Sequence, residues 1–407
     1  MQYLKKKKMF SGIIWGLTVF LLFSFTALTM YSWGRYVFFL ICAVITILYA
    51  SSNDGKIKLK LGKYQNKLLL FVVYTGMSSI WAINSRDSVT QMTTLLSILI
   101  CYYPIYVYYR DLGTLDNFIS AIKWGGICCS IYTIVFFGLD NLMRAGQSDS
   151  LRIGNEFANA NTLGLFAGMA IVIQIWQILF KKGRKQEIIA LLPAIIVLAA
   201  SQSRKAILLV VIGSFALLIL KNIGNVHFFD GLMRIIFGIV IICIILFFLS
   251  KLEIFAGVNE RFNDMFNTLN GTGNVNASTE MREKLISLGI ESWKRRPIFG
   301  IGIGNPHILA TQYLSFNAYL HNNYVELLCG GGCVGFLLYY SMHVYCLINV
   351  IKLRKSNWAY FTFATTLIIL IFVTDYAMVS YYSKLDNFYI MALFLTVDKM
   401  RQERTIS

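Results

Sequence analysis

Apolar runs of about the length a helix needs to cross a bilayer recur from one end of this chain to the other, with short polar stretches between them. They fall at approximately 10–30, 34–50, 67–83, 89–109, 117–138, 157–180, 187–201, 204–221, 232–250, 321–351, 358–378 and 386–399. The short alternating segments that mark a membrane β-barrel are absent. The pattern predicts an all-α fold: a polytopic membrane helical bundle of about twelve transmembrane helices. Only one polar stretch is long, 251–320, and it is expected to be a large external loop carrying short helices. The expected organisation is a single integrated membrane domain, with helices 1–9 over 1–250, the loop over 251–320, and the last three helices and a tail over 321–407.

Composition agrees with this picture. The 407 residues are 57% hydrophobic and only 14% charged, against about 25% charged in soluble proteins, and mean hydropathy is +0.62. A net charge of +17 raises the question of nucleic acid, but its distribution argues against that partner. Lys5–Lys8, Lys56–Lys67, Arg110, the Lys181/Lys182/Arg184/Lys185 cluster, Lys221, Lys352/Arg354/Lys355 and Arg401/Arg404 all fall between runs on one side of the predicted membrane. This is the positive-inside pattern, and it predicts cytoplasmic termini with the 251–320 loop facing outward. The eight cysteines form no CxxC pair and none lies in the loop, so neither a disulfide framework nor a zinc site is expected. Lys5–Lys8 precede an apolar run with no small-residue cleavage site, which reads as a retained first helix.

A few arginines stand on the outer side, where positive charge should be sparse. Arg152 directly precedes the sixth run and Arg204 lies in the tight turn between the seventh and eighth. They are either solvated loop residues or anion ligands, since the planar guanidinium suits phosphate. In the loop, Met281, Leu285, Leu288 and Trp293 recur at helical spacing and predict an amphipathic helix over 280–294 on the membrane surface. Arg282 sits in its first turn, where an ion pair with Glu280 or Glu283 is the plainer reading. Gly300-Ile-Gly302-Ile-Gly304 looks like a dinucleotide fingerprint but lacks the strand and helix that motif requires, so a flexible turn is expected. At the loop's end, His321-Asn322-Asn323-Tyr324-Val325-Glu326 opens the tenth run. A lone His at an interface is commonly a cap neighbour, but a carboxylate one and a half turns into the membrane is costly and points to function or a buried partner.

Four stretches, taken in order, resemble the O-antigen ligase and polysaccharide polymerase superfamily of bacterial envelope glycosyltransferases. They are Arg152-Ile-Gly154 through Asn159-Ala-Asn161-Thr-Leu-Gly164, Ser201-Gln-Ser203-Arg204-Lys-Ala206, Arg282 with Trp293 and Pro297 to Gly304, and His321-Asn322 with Tyr324 and Glu326. The likeness covers about 150–340. Ala160 stands where the family usually has Pro, and the spacing after Arg152 is tightened.

The resemblance implies a metal-independent, inverting glycosyltransferase with no cofactor. Its expected donor is an undecaprenyl-diphosphate-linked oligosaccharide, used on the outer face of the bacterial cytoplasmic membrane. It implies catalytic roles for His321, Arg282 and Arg204, and substrate contacts from Arg152, Asn159, Asn161, Asn322, Tyr324 and Glu326. Membrane lipid is an expected partner, as are a flippase and a chain-length regulator of the same pathway. The chemistry is coherent. Cations meet the charge that grows on a departing diphosphate, and a His of ordinary pKa, near about 6.5, accepts the acceptor hydroxyl's proton at neutral pH. The chain contains no Asp-x-Asp for a metal-held nucleotide sugar. Polymerase is the leading expectation, O-antigen ligase the alternative, and a polysaccharide or small-solute transporter the alternative of another class. A transporter predicts symmetric halves and ionisable residues near mid-membrane.

Overall fold

The computed structural model describes residues 2–28, 31–52, 61–147, 153, 158–181, 185–223, 228–269, 277–315 and 317–406. The described residues form helices and no strand. In chain order these are α1 (Gln2–Ala27), α2 (Gly34–Ser52), α3 (Lys63–Met77), α4 (Ser85–Asp111), α5 (Leu115–Phe137), α6 (Leu139–Gln147), α7 (Ala160–Phe180), α8 (Leu192–Ala200), α9 (Arg204–Ile223), α10 (Phe228–Ser250), α11 (Ala256–Leu269), α12 (Ala277–Arg295), α13 (Pro306–Leu314), α14 (Asn323–Lys352), α15 (Trp358–Ala377) and α16 (Lys384–Ile406). Every predicted apolar run falls on a helix. Among the described residues, eight helices (α1, α2, α4, α5, α7, α9, α14 and α15) are long and apolar enough to cross a membrane by length and composition. Helices α3, α8, α10 and α16 occupy the other four predicted runs. The protein is a multi-pass helical membrane protein.

The helices group into two compact units. The first comprises Met1–Leu48, Gly113–Asn274 and Trp358–Leu370; the second comprises Tyr49–Leu112, Val275–Asn357 and Ile371–Ser407.

In the first unit α7 is central, packed on α5, α8 and α9. Small residues permit the close approach that membrane helices use in place of a hydrophobic driving force: Gly126 faces the Phe166 carbonyl of α7, and Gly168 faces Val210 and Ala206 of α9. One buried cation ties three elements together. Lys123 of α5 donates to Gln174 Oε1 and Gln177 Oε1 of α7, both at 2.8 Å, and to Glu187 Oε2 at 2.5 Å. A charge is tolerable in such surroundings only when paired in this way.

The second unit is built on α14, which packs against α3 and α12, while α4 packs on α3 and α16. The helix α14 is broken. Gly332 has φ 60° and ψ −167°, a conformation open in practice only to glycine. A break of this kind frees backbone groups that lipid cannot satisfy, and the Pro297–Gly302 segment satisfies them. Ile301 N–H donates to Cys329 O at 3.0 Å and Gly302 N–H to Gly330 O at 2.8 Å, while Cys333 N–H donates to Pro297 O at 2.8 Å and Val334 N–H to Ile298 O at 3.2 Å. Tyr74 O–H covers the remaining Gly331 carbonyl at 2.5 Å. The Gly300–Gly304 stretch is therefore a turn, as its composition predicts, and all three of its glycines have positive φ.

Candidate active site

In the second unit, the site is assembled on the segment that leads into α14. Asn322 is its N-cap, with extended φ −147° and ψ 116°, and its side chain accepts from Val325 N–H at 3.1 Å. This satisfies one of the amides that a helix start leaves without an internal partner. His321, one residue earlier, has φ 56°, a left-handed conformation that costs a non-glycine residue about 1–3 kcal/mol and persists only where the surroundings enforce it. Enforcement comes from Glu326, almost fully buried, whose Oε2 accepts from Leu320 N–H at 2.8 Å. The residues on either side of His321 are thus both tied to the first turn and a half of α14. His321 is partly exposed although its Nδ1 is buried, and its ring lies against the Tyr319 ring, with centroids 4.3 Å apart.

Helix α12 delivers Arg282 to the same place. The helix begins where the spacing of Met281, Leu285 and Leu288 predicts. Its apolar face, expected to lie on the membrane surface, is instead buried against protein: Leu285 forms a core with Ile301, Leu309, Ala310, Leu320, Val325 and Cys329. Gly289 allows the approach, since a Cβ there would run into Leu320 and Val325. The neighbouring Glu280 pairs with Lys284 at 2.6 Å. Arg282 acts on Tyr319. Burial pushes the Tyr319 phenol up, the Arg282 charge pulls it down, and Glu326 pushes it up. The linker between α15 and α16 closes on the same group: burial raises the Tyr382 phenol, with Glu326 and Tyr319 adding to the shift.

Behind this front lies a fully buried polar network. Asn323 Oδ1 accepts from Ser380 N–H at 2.9 Å and from Tyr381 N–H at 3.1 Å. Its Nδ2 donates to Tyr340 Oη at 3.0 Å and to Asp375 Oδ2 at 3.3 Å. Tyr340 O–H donates to Asp375 Oδ2 at 2.8 Å, and Ser380 O–H donates to Asp375 Oδ1. Tyr324 O–H reaches the Phe372 carbonyl at 2.8 Å. Of the residues expected to contact substrate, Asn322 and Glu326 thus each turn a side-chain oxygen to backbone amides around the His321 turn, and Tyr324 turns its hydroxyl to α15.

Arg204, Asn159 and Asn161 lie in the first unit, around a second strained turn. Gln202 has φ 48° and is wholly buried; its Nε2 donates to Ala145 O at 2.6 Å. Ser203 O–H donates to Asn161 Oδ1 at 2.9 Å, linking the start of α7 to the turn. Asn159 is the exposed N-cap of α7, accepting from Asn161 N–H at 2.9 Å. Arg204 opens α9, and its Nη1 donates to Arg261 O at 3.2 Å. Arg152 lies outside the described residues. Among the described residues there is no cluster of three or more His, Cys, Asp and Glu placed to hold a metal ion.

Residues 189–340 match the model of the family described as O-antigen ligase. That match supports membership of the stretch in the O-antigen ligase and polymerase superfamily and bears out the resemblance over three of its four motifs, the one at 152–164 lying outside the matched residues. It includes Arg204, Arg282, His321, Asn322, Tyr324 and Glu326. A comparison with curated proteins gives no match. The family implies a glycosyltransferase-like enzyme working on a lipid-linked oligosaccharide in a membrane.

Proposed function

We propose that this protein is a polysaccharide polymerase, which joins undecaprenyl-diphosphate-linked repeat units on the outer face of the cytoplasmic membrane. The observation that carries the reading is the convergence of Arg282 and His321 on Tyr319. One cation and one imidazole there share a partly exposed corner that the Glu326 carboxylate holds in shape from behind.

In the proposed reaction the acceptor sugar hydroxyl attacks the anomeric carbon of the donor from the face opposite the diphosphate. The new C–O bond forms as the bond to the diphosphate oxygen breaks, and the configuration inverts. The hydroxyl proton passes to His321, and Arg282 meets the charge growing on the leaving diphosphate. Arg204 is proposed as a diphosphate ligand on the strength of its motif alone. Arg152, Asn159 and Asn161 are proposed to line the donor path, with both termini in the cytoplasm and no metal required.

Purified protein in nanodiscs, given lipid-linked repeat unit and excess EDTA, should lengthen the glycan. Activity should fall on acidification through protonation of the base. A His321→Ala protein that still polymerises at the wild-type rate removes the proposed base. The matched family's description favours a second reading, transfer of the finished glycan to a lipid A core. Gene deletion separates the two: single repeat units at the surface mean a lost polymerase, whereas full-length glycan retained on the carrier lipid means a lost ligase.

A further inference from the structure

Arg261, on α11, falls in none of the motifs that brought Arg204, Arg282 and His321 forward. Its place in the first unit is nevertheless specific. Arg261 Nη1 donates to the Gln202 carbonyl at 3.1 Å, and the Arg261 carbonyl accepts from Arg204 Nη1 at 3.2 Å. The two contacts are reciprocal. One arginine holds the backbone of the turn, and the other arginine, which that turn launches, is held in return by the first one's backbone. Gln202 has a left-handed φ of 48°, so the carbonyl that Arg261 grips belongs to a residue whose conformation the chain does not adopt unaided.

The packing around this contact leaves little latitude. Gly257, one turn before Arg261 on α11, lies so close to the Gln202 amide that a Cβ would clash with it, and Gly146 of α6 is similarly pressed on the Ile254 carbonyl. Ile254, Phe255 and Val258 form a buried cluster with Ala199, at the end of α8. Helix α11 is thereby fixed against the turn by apolar contacts, and Arg261 projects from it to the Gln202 carbonyl. A charged donor on a carbonyl is among the stronger neutral-acceptor hydrogen bonds. A guanidinium, with a planar fork, fixes direction where an ammonium does not.

We infer that Arg261 is the positioning residue for Arg204: it pins the strained Gln202 peptide and so sets the direction in which the Arg204 guanidinium meets a diphosphate. The inference rests on the proposed assignment of Arg204 to diphosphate. Arg261 itself acts through the turn and is not assigned a contact with substrate.

The test uses full-length protein in nanodiscs, with undecaprenyl diphosphate as the binding probe and undecaprenol, which lacks the diphosphate, as control. Arg261→Met should weaken undecaprenyl diphosphate binding about tenfold and leave undecaprenol binding unchanged. In an Arg204→Met background the same change should have no further effect, because a residue acting only through Arg204 cannot be lost twice. Arg261→Lys keeps a charged donor and a long stem. It should fold where Arg261→Met does not, and recover part of the loss. Wild-type binding in both Arg261 variants overturns the inference, as does a loss in the double variant that multiplies the single losses. The outcomes are separable from those of the underlying reading. If Arg204→Met binds undecaprenyl diphosphate normally, the diphosphate assignment fails. If Arg204→Met is impaired and Arg261→Met is not, only the positioning role fails.

Discussion

Two turns, one in each unit, solve a similar problem in different ways. Ser201–Arg204 and Leu320–Asn322 each lead into a long membrane helix, and each contains a non-glycine residue with positive φ, Gln202 at 48° and His321 at 56°. In the first turn the strained residue is buried completely and its side chain serves the fold, through the Ala145 carbonyl. The functional candidate is Arg204, two positions later. In the second turn the strained residue is itself the candidate: His321 stays partly open, and the burial falls on its neighbours Leu320, Asn322 and Glu326. Backbone strain of similar size thus serves to aim a neighbouring side chain in one unit and to display the residue's own side chain in the other.

Substitution by glycine, which adopts positive φ without penalty, is the sharpest way to break this comparison. His321→Gly relieves the backbone but removes the proposed base, and should lower the polymerisation rate by about 10²–10⁴-fold, the usual contribution of a general base. Gln202→Gly relieves the same kind of strain and should leave turnover within a few-fold of wild type; rates of both variants measured on lipid-linked donor decide it. If Gln202→Gly is as damaging as His321→Gly, the two turns do not differ as described.

Next in size is Glu326→Ala, which strands the buried Leu320 N–H. An unsatisfied buried donor costs about 1–3 kcal/mol, to be read as a lowered thermal unfolding midpoint together with reduced activity. Glu326→Gln keeps an acceptor and should recover most of the stability, so equal losses in the two variants would point to the charge instead. Arg204→Lys should reduce turnover about tenfold, since a point charge does not replace the bidentate fork, with protein levels unchanged on immunoblots. Smallest is Tyr319→Phe, which keeps the ring against His321 and should stay within about twofold of wild type. Tyr319→Ala, which removes the ring, should fall further.

Much of this was legible in the chain. Hydropathy is a local property, and the helices follow it closely; α12 follows the spacing of Met281, Leu285 and Leu288, and the Gly300–Gly304 turn follows its glycines. What local pattern could not reveal is pairing across long separations. The Asn323–Asp375 contact joins residues 52 positions apart, and Tyr319 acquires its role only once α12 brings Arg282 beside it. One signal was there to be used. Asp375 and Lys123 each stand inside an apolar run, where a charge implies a partner, and the structure supplies a partner for each. The left-handed conformation of His321 had no such signal, because it is imposed by the Leu320–Glu326 bond rather than by the residue.

The break in α14 has a consequence for how such an enzyme can diversify. The contacts that join Pro297–Gly302 to Cys329–Val334 run between main-chain atoms, which are the same for every amino acid. Glycine is demanded at Gly332 by conformation, but Ile298 and Phe299 are more than half exposed and contribute their carbonyls to Val334 and Trp81. The Ile298 side chain can be exchanged without shifting the register that holds α14, whereas the Phe299 ring packs on Trp81 with centroids 5.4 Å apart. A candidate site fixed by the peptide backbone can therefore sit beside a rim position whose chemistry is open to change.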